Sequence, residues 1–284
     1  MSVWTKTTER GGAYVRANDL DIHYVEAGTG EPLVLLHGGF SSTGPVWSDH
    51  PAGYVGHMPA FAEHFRVIAL DTRGAGATVA GDGTASFSVL ADDVRAVIEA
   101  LDLDRPLLCG FSEGATTATI LGIRFPDVVR AIVNHAGYDM LNPHAQSYAI
   151  GRVMFGGSPD ATVADPDVAE RSFKSSDDMR LLFELFVADH DDAQGAGHWR
   201  AYIEQVFPRF TQSPGYTFDD LGAVTAPTLV LTGDRDHFCS VEEAVTSYRA
   251  LPAAELAILP NHGHLITPAA VAASIEFLER HQSA

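Results

Sequence analysis

The residues of this chain that most directly suggest chemistry are Gly110-Phe111-Ser112-Glu113-Gly114, a serine framed by two glycines. The pattern is G-x-S-x-G, the signature of a nucleophile elbow. A serine hydroxyl becomes a useful nucleophile when a tight turn projects it toward a base and toward N–H donors that can receive an oxyanion. The glycines leave room for that turn. The flanks supply the required context: residues 107–109 read as a short buried strand and residues 115–125 as the helix after it.

Such a serine needs a histidine base and a carboxylate to orient the imidazole. Both follow downstream, each after a short apolar run. Thr232-Gly233-Asp234-Arg235-Asp236 follows residues 229–231, and Pro260-Asn261-His262-Gly263-His264 follows residues 256–259. Asp234 and Asp236 are the candidate acids, and His262 and His264 the candidate bases. His50 and His57 fall in the long stretch 41–60, but no third ligand lies at a diagnostic spacing, so no metal site is expected. With only Cys109 and Cys239 in the chain, neither a disulfide framework nor a cysteine-ligated metal is expected.

These residues need a frame. Residues 13–15 and 20–25 alternate apolar and polar around Asn18-Asp19 and read as an antiparallel hairpin. Residues 33–36, 67–70, 107–109, 131–133, 229–231 and 256–259 are short continuous apolar runs, the pattern of strands covered on both faces. Helical spacing appears at Phe87, Leu90, Val94, Val97, Ile98 and Leu101, and again over residues 241–251 and 269–280. The sum is an α/β fold with a mostly parallel central sheet of about eight strands wrapped by helices. Residues 138–220 break the rhythm: they lack a buried strand and offer helical stretches at 168–190 and 198–210. The expectation is a core of residues 1–137 and 221–284 carrying a helical cap of residues 138–220. The cap aromatics, among them Phe155, Phe173, Phe186 and Trp199, are divided between cap packing and pocket lining.

Composition narrows the partners. The 284 residues hold 18 Lys plus Arg against 37 Asp plus Glu, a formal net charge of −19 at pH 7. That balance disfavours nucleic acid and anionic membrane surfaces. Residues 1–12 carry no apolar signal core and no run reaches the roughly 18 apolar residues of a membrane span, so a soluble cytoplasmic protein is expected. Nothing in the sequence speaks to oligomeric state.

Five ordered motifs together resemble the α/β-hydrolase superfamily across nearly the whole length. They are His37-Gly38-Gly39, Asp71-x-Arg73-Gly74-x-Gly76, the elbow at Ser112, Gly233-x-x-Asp236 and Gly263-His264. The resemblance implies a triad of Ser112, Asp236 and His264, with Asp234 and His262 as turn or loop residues. Asp139 is a rival acid, because some members of the superfamily place theirs there. The oxyanion donors would be the backbone N–H groups of Gly39 and Glu113. His37 would brace its loop, and Asp71 and Arg73 would serve as scaffolding through a mutual ion pair. Phe40, Trp47, Glu113 and Tyr138 are the candidate substrate contacts.

Glu113 departs from the commonest elbows, which carry an uncharged residue there. Either its side chain makes a structural contact and only its backbone serves catalysis, or its carboxylate faces the pocket and favours a cationic or hydrogen-bond-donating substrate. The elbow is also similar to that of valacyclovir-hydrolase-like enzymes, which cleave amino-acid esters.

The expected activity is that of a cofactor-independent serine hydrolase, acting on an ester, thioester or lactone of a small, largely apolar molecule. Cleavage of a carbon–carbon bond in a diketone, amide hydrolysis and perhydrolysis of the haloperoxidase type use the same constellation. A lyase, a cyclase or a ligand-binding protein of this fold is the alternative of another class. Serine at the elbow argues against dehalogenases and epoxide hydrolases, whose similar elbow carries aspartate.

Overall fold

The computed structural model describes residues 12–43, 57–80, 85–175 and 177–283. Eight strands form one sheet: β1 (Ala13–Ala17), β2 (Leu20–Ala27), β3 (Pro32–Leu36), β4 (Arg66–Leu70), β5 (Leu107–Phe111), β6 (Ile132–His135), β7 (Thr228–Gly233) and β8 (Ala254–Leu259). Their spatial order is β1-β2-β4-β3-β5-β6-β7-β8. Pairing from β4 to β8 is parallel throughout, and β2 joins the sheet antiparallel to both β1 and β4. The β1–β2 turn is made by Asn18 and Asp19, both at positive φ (46° and 63°), the geometry of a two-residue hairpin turn.

The apolar runs are explained by burial on two sides. Successive residues of a strand point to opposite faces, and both faces here are covered. Val34, Leu36, Ile68, Leu70, Leu108 and Val230 pack with helices α2 (Phe87–Ala100) and α3 (Glu113–Arg124). Leu33, Leu35, Val67, Leu107, Val133 and Leu231 pack on the other side with α1 (His57–Ala62) and α9 (Pro268–Glu279). Helix α8 (Val241–Ala250) lies between β7 and β8 in the chain and starts with a capping box of Ser240 and Glu243.

Between β6 and β7 the described chain forms helices α4 (Gln146–Gly156), α5 (Pro166–Phe173), α6 (Asp177–Gln194) and α7 (His198–Thr211). The stretch 168–190 is therefore two helices and not one. Asp165 caps α5, accepting the N–H groups of Asp167 and Val168, and Pro166 occupies its first turn. These helices share an aromatic core of their own, built on Phe155, Phe173, Phe183, Phe186, Trp199 and Tyr202.

Several features tie this helical insert to the sheet and its loops. Gln194 Nε2 donates to the carbonyls of Gly74, Gly76 and Thr78. Ser42 donates to the carboxylate of Asp189. Phe40, from the loop after β3, inserts its ring among Phe155, Phe173, Phe186, Tyr202 and Phe210 at centroid distances of 4.6 to 6.2 Å.

The Asp71–Arg73 ion pair does not form. Arg73 instead grips Asp93 on α2 with two hydrogen bonds of 2.6 and 2.8 Å. Asp71 is fully buried, where it accepts the N–H groups of Thr43 and Ala77 and meets Nδ1 of His23 at 2.8 Å. Both residues are scaffolding, but each organises a different pair of elements.

Candidate active site

Ser112 sits between the end of β5 and the start of α3 with φ 51° and ψ −117°, a conformation that L-residues avoid. The close approach of neighbouring backbone explains the glycines around it. A Cβ on Gly110 would lie 2.4 Å from the Gly114 carbonyl oxygen, and one on Gly114 would lie 2.5 Å from the carbonyls of Leu36 and His37. The Ser112 N–H donates to His135 at 2.8 Å, and the Ala115 N–H returns to Ser112 at 2.9 Å, so the strained turn is held on both sides.

His264 reaches the serine from the loop after β8. Its Nε2 lies 3.0 Å from Ser112 Oγ and its Nδ1 lies 2.8 Å from Asp236 Oδ2. With Nδ1–H facing the carboxylate, Nε2 is free to accept the serine proton. Asp236, in the loop after β7, also accepts the N–H groups of Phe238 and Cys239 at 2.9 and 3.0 Å. Burial works to raise the Asp236 pKa, but the contacts with His264 and with these backbone donors outweigh it and leave the carboxyl below its ordinary range. Ser112, His264 and Asp236 thus form one hydrogen-bonded series.

The rival residues sit elsewhere. Asp234 accepts the N–H groups of Asn261 and His262, tying the β7 loop to the β8 loop. His262 Nδ1 is 2.8 Å from the carbonyl of Pro260, in its own loop. Asp139, in a short 3-10 turn after β6, accepts the Cys239 thiol at 3.1 Å, whereas His264 faces Asp236. Asp236, Cys239 and His264 bring ligand-type atoms within 4.8 Å of one another, but each already has a partner: Asp236 and His264 hold each other, and Cys239 holds Asp139.

A cavity of about 460 Å³ opens above Ser112. Its floor includes Gly39, Ser112, Glu113 and His264, and its walls are largely aromatic, with Phe111, Phe155, Phe173, Phe210 and Phe238. Phe40 and Glu113 are among its lining residues. Trp47 lies outside the described residues, as do His50 and Tyr54.

Tyr138 is a correction. It is almost fully buried in the core below the cavity, beside Thr119, Ile132, Leu221 and Val230, and does not line the substrate space. The chain turns at Ala136 (φ 57°) just before it, which directs the following residues away from the register of β6.

The Glu113 side chain makes a contact within the protein. Its Oε1 lies 2.6 Å from Nε of Arg209 on α7, and both side chains are buried, 4% and 2% exposed. His37 braces the neighbouring loop: its Nδ1–H donates to Gly38 at 2.7 Å, and its Nε2 accepts the Thr72 N–H at 3.1 Å. Burial pulls the His37 pKa down, which suits that neutral arrangement. The sequence gives no sign of Arg209, whose role depends on a contact across nearly a hundred residues.

A sequence model described as alpha/beta hydrolase fold matches residues 31–156. The chain has the α/β-hydrolase fold, and the relatives it resembles over most of its length include proteins named as hydrolases. It is 27% identical over 258 residues to a Synechocystis protein provisionally named a non-heme chloroperoxidase, covering 87% of this chain and 89% of that one. It is 25% identical to the (E)-2-((N-methylformamido)methylene)succinate hydrolase of Acinetobacter baylyi, with coverage of 88% and 89%. Among solved structures, a meta-cleavage product hydrolase from Pseudomonas fluorescens IP01 superposes with a TM-score of 0.74 at 18% identity, over 95% of this chain and 98% of that one. Among the described residues no helix is long and apolar enough to cross a membrane.

Proposed function

We propose that the protein is a cofactor-independent serine hydrolase that cleaves an ester, thioester or lactone of a small, largely apolar molecule. The observation that carries this reading is the series Ser112 Oγ, His264 Nε2, His264 Nδ1, Asp236 Oδ2, with contacts of 3.0 and 2.8 Å, at the floor of an aromatic cavity.

In this mechanism Ser112 Oγ attacks the substrate carbonyl while its proton passes to His264 Nε2. Asp236 holds the imidazole and stabilises its charged form. The oxyanion forms near the backbone N–H groups of Gly39 and Glu113, and the positive end of α3 adds to that field. Collapse expels the alcohol or thiol, which takes the proton from His264. Water then enters, His264 removes its proton, and the acyl-enzyme breaks to acid and free Ser112. A cavity of about 460 Å³ is of the size that encloses a small organic ligand, and its aromatic walls favour an apolar one.

The Acinetobacter baylyi relative is named a hydrolase of a substrate that carries an N-methylformamido group, which supports hydrolysis as the reaction without supporting a particular acyl bond. A screen of small esters, thioesters and lactones tests the reading. The expected result is turnover of at least one class by the wild type and a loss of roughly 10⁴-fold or more in kcat for Ser112→Ala. Equal turnover by both proteins would overturn it.

A further inference from the structure

The cavity wall carries two carboxyl side chains in addition to the residues of the proposed triad, and they differ in one respect. Glu113 has a cation, Arg209, against it. Asp139 lines the same cavity with no ion-pair partner among the described residues, and it is 3% exposed. Its Oδ1 accepts the Cys239 thiol, a weak donor. Its Oδ2 has no donor of good hydrogen-bond geometry; the Ser147 hydroxyl, which also lines the cavity, is the neighbour near enough to favour the charged form of Asp139 as a hydrogen-bond donor, but its alignment is poor.

A buried carboxyl and a hydroxyl whose mutual contact is too poorly aligned to satisfy either, set in a largely apolar wall, are costly unless something completes them. We infer that Asp139 and Ser147 form a polar subsite that recognises a hydrogen-bond donor on the substrate, a hydroxyl or an ammonium group, at a distance from the scissile carbonyl. The inference rests on the proposed hydrolase reading for what is turned over, and on the geometry of the wall for what is bound.

In the unliganded protein Oδ2 is covered, so engaging a donor requires rotation about χ2, a soft torsion in aspartate. The surroundings leave the acceptor available. Burial pushes the Asp139 carboxyl up to about 6, with Glu243 acting in the same direction and Ser147, Cys239 and His264 against it. The nearby phenol of Tyr148 is spent on the Met140 carbonyl at 2.6 Å. A buried carboxylate with no cation beside it is the group to which a substrate donor adds most, because that donor replaces hydration already lost on folding. The arrangement also gives direction: a substrate with its carbonyl at Ser112 and its donor at Asp139 is held at two points in a largely apolar space.

The test uses three matched esters whose acyl chains end in methyl, hydroxyl or ammonium, in a series of chain lengths. The ratio of kcat/KM for the donor ester to that for the methyl ester is measured in the wild type, Asp139→Asn, Asp139→Leu and Ser147→Ala. The inference expects a wild-type ratio of about tenfold or more at one chain length, collapsing toward one in Asp139→Leu and falling in Ser147→Ala. Asp139→Asn separates the donors: it abolishes the ammonium preference and spares more of the hydroxyl preference. A wild-type ratio near one at every length, or a ratio indifferent to all three variants, overturns the subsite. Calorimetric binding of the same esters to Ser112→Ala, with and without Asp139→Leu, reads the subsite without turnover. A donor preference there that disappears with Asp139 supports it even if the hydrolase reading fails, and equal binding of all three esters overturns it even if hydrolysis is confirmed.

Discussion

Arg209 Nε on α7 lies 2.6 Å from Glu113 Oε1 at the start of α3, and neither side chain reaches solvent. The contact joins the helical insert to the residue whose backbone N–H is the proposed oxyanion donor. Glu113 Oε2 also lies against the loop after β3, 2.7 Å from where a Cβ on Gly39 would sit. Arg209 donates from Nη1 to the Ala85 carbonyl at 2.9 Å, so one guanidinium spans the insert, the elbow and the segment leading into α2.

This pair predicts an asymmetry between single and double replacements. Nε and Oε1 meet without hydrogen-bond alignment, so apart from the bond of Nη1 to the Ala85 carbonyl it is Coulomb attraction that must offset two desolvated charges. Arg209→Met leaves Glu113 as a buried uncompensated charge and is expected to cost about 3–5 kcal/mol of unfolding free energy. Glu113→Met with Arg209→Met is expected to recover most of that loss. Denaturant unfolding of the three proteins checks it, and a double variant no more stable than Arg209→Met would contradict it.

Phe40 supplies a second prediction through its backbone. Its φ of 59° lies in the left-handed region, which costs a residue with a Cβ about 1–2 kcal/mol, and its ring is fixed among five aromatic rings of the insert. Phe40→Ala loses the ring and keeps the backbone penalty, whereas Phe40→Gly loses the ring and removes the penalty. The usual order therefore inverts, with the glycine variant more stable than the alanine variant by about 1 kcal/mol. Urea midpoints at matched m-values test this; alanine above glycine would contradict it.

The strands were legible because the sheet is buried on both faces, so Leu33–Leu36 or Leu107–Cys109 have no polar alternation to obscure them. The positions of Ser112, Asp236 and His264 were legible because each follows such a strand. The insert was read less well for local reasons. Helix α4 begins at Gln146, and Ala145 before it offers no side-chain cap, so nothing in the sequence announces its start. The start of α5 was announced by Asp165-Pro166 and was missed within a longer helical pattern. Partners distant in sequence stayed hidden: Arg73 could pair with nearby Asp71 or with Asp93, and only the packing of α2 on the loop after β4 decides for Asp93. Tyr138 misled because its distance in sequence from β6 says nothing about the turn at Ala136.

Two buried histidines predict acid sensitivity. Burial lowers His135 and His190 from 6.5 to about 3, so between those values the unfolded chain binds the protons and the folded protein does not. Their contribution is complete above pH 6.5 and is lost as pH falls, by roughly 2 kcal/mol each on reaching pH 5. Asp139 acts in the opposite sense: its raised pKa of about 6 favours folding at low pH, and this contribution is lost as pH rises through 6. His190 donates from Nδ1 to the Phe186 carbonyl, a bond that glutamine can replace. His190→Gln is expected to lose less stability than wild type between pH 7 and pH 5, read as the difference in Tm at the two values. An identical decline in both proteins would contradict it.

The central claim is that His264, held by Asp236, makes Ser112 a nucleophile. Covalent labelling with a fluorophosphonate, followed by intact mass and peptide mapping, tests it without knowledge of the substrate. The account predicts one adduct per chain on Ser112 in the wild type, none in Ser112→Ala, and labelling slowed by several orders of magnitude in His264→Ala. A wild-type protein that stays unlabelled, or a His264→Ala variant that labels as fast as wild type, would contradict it.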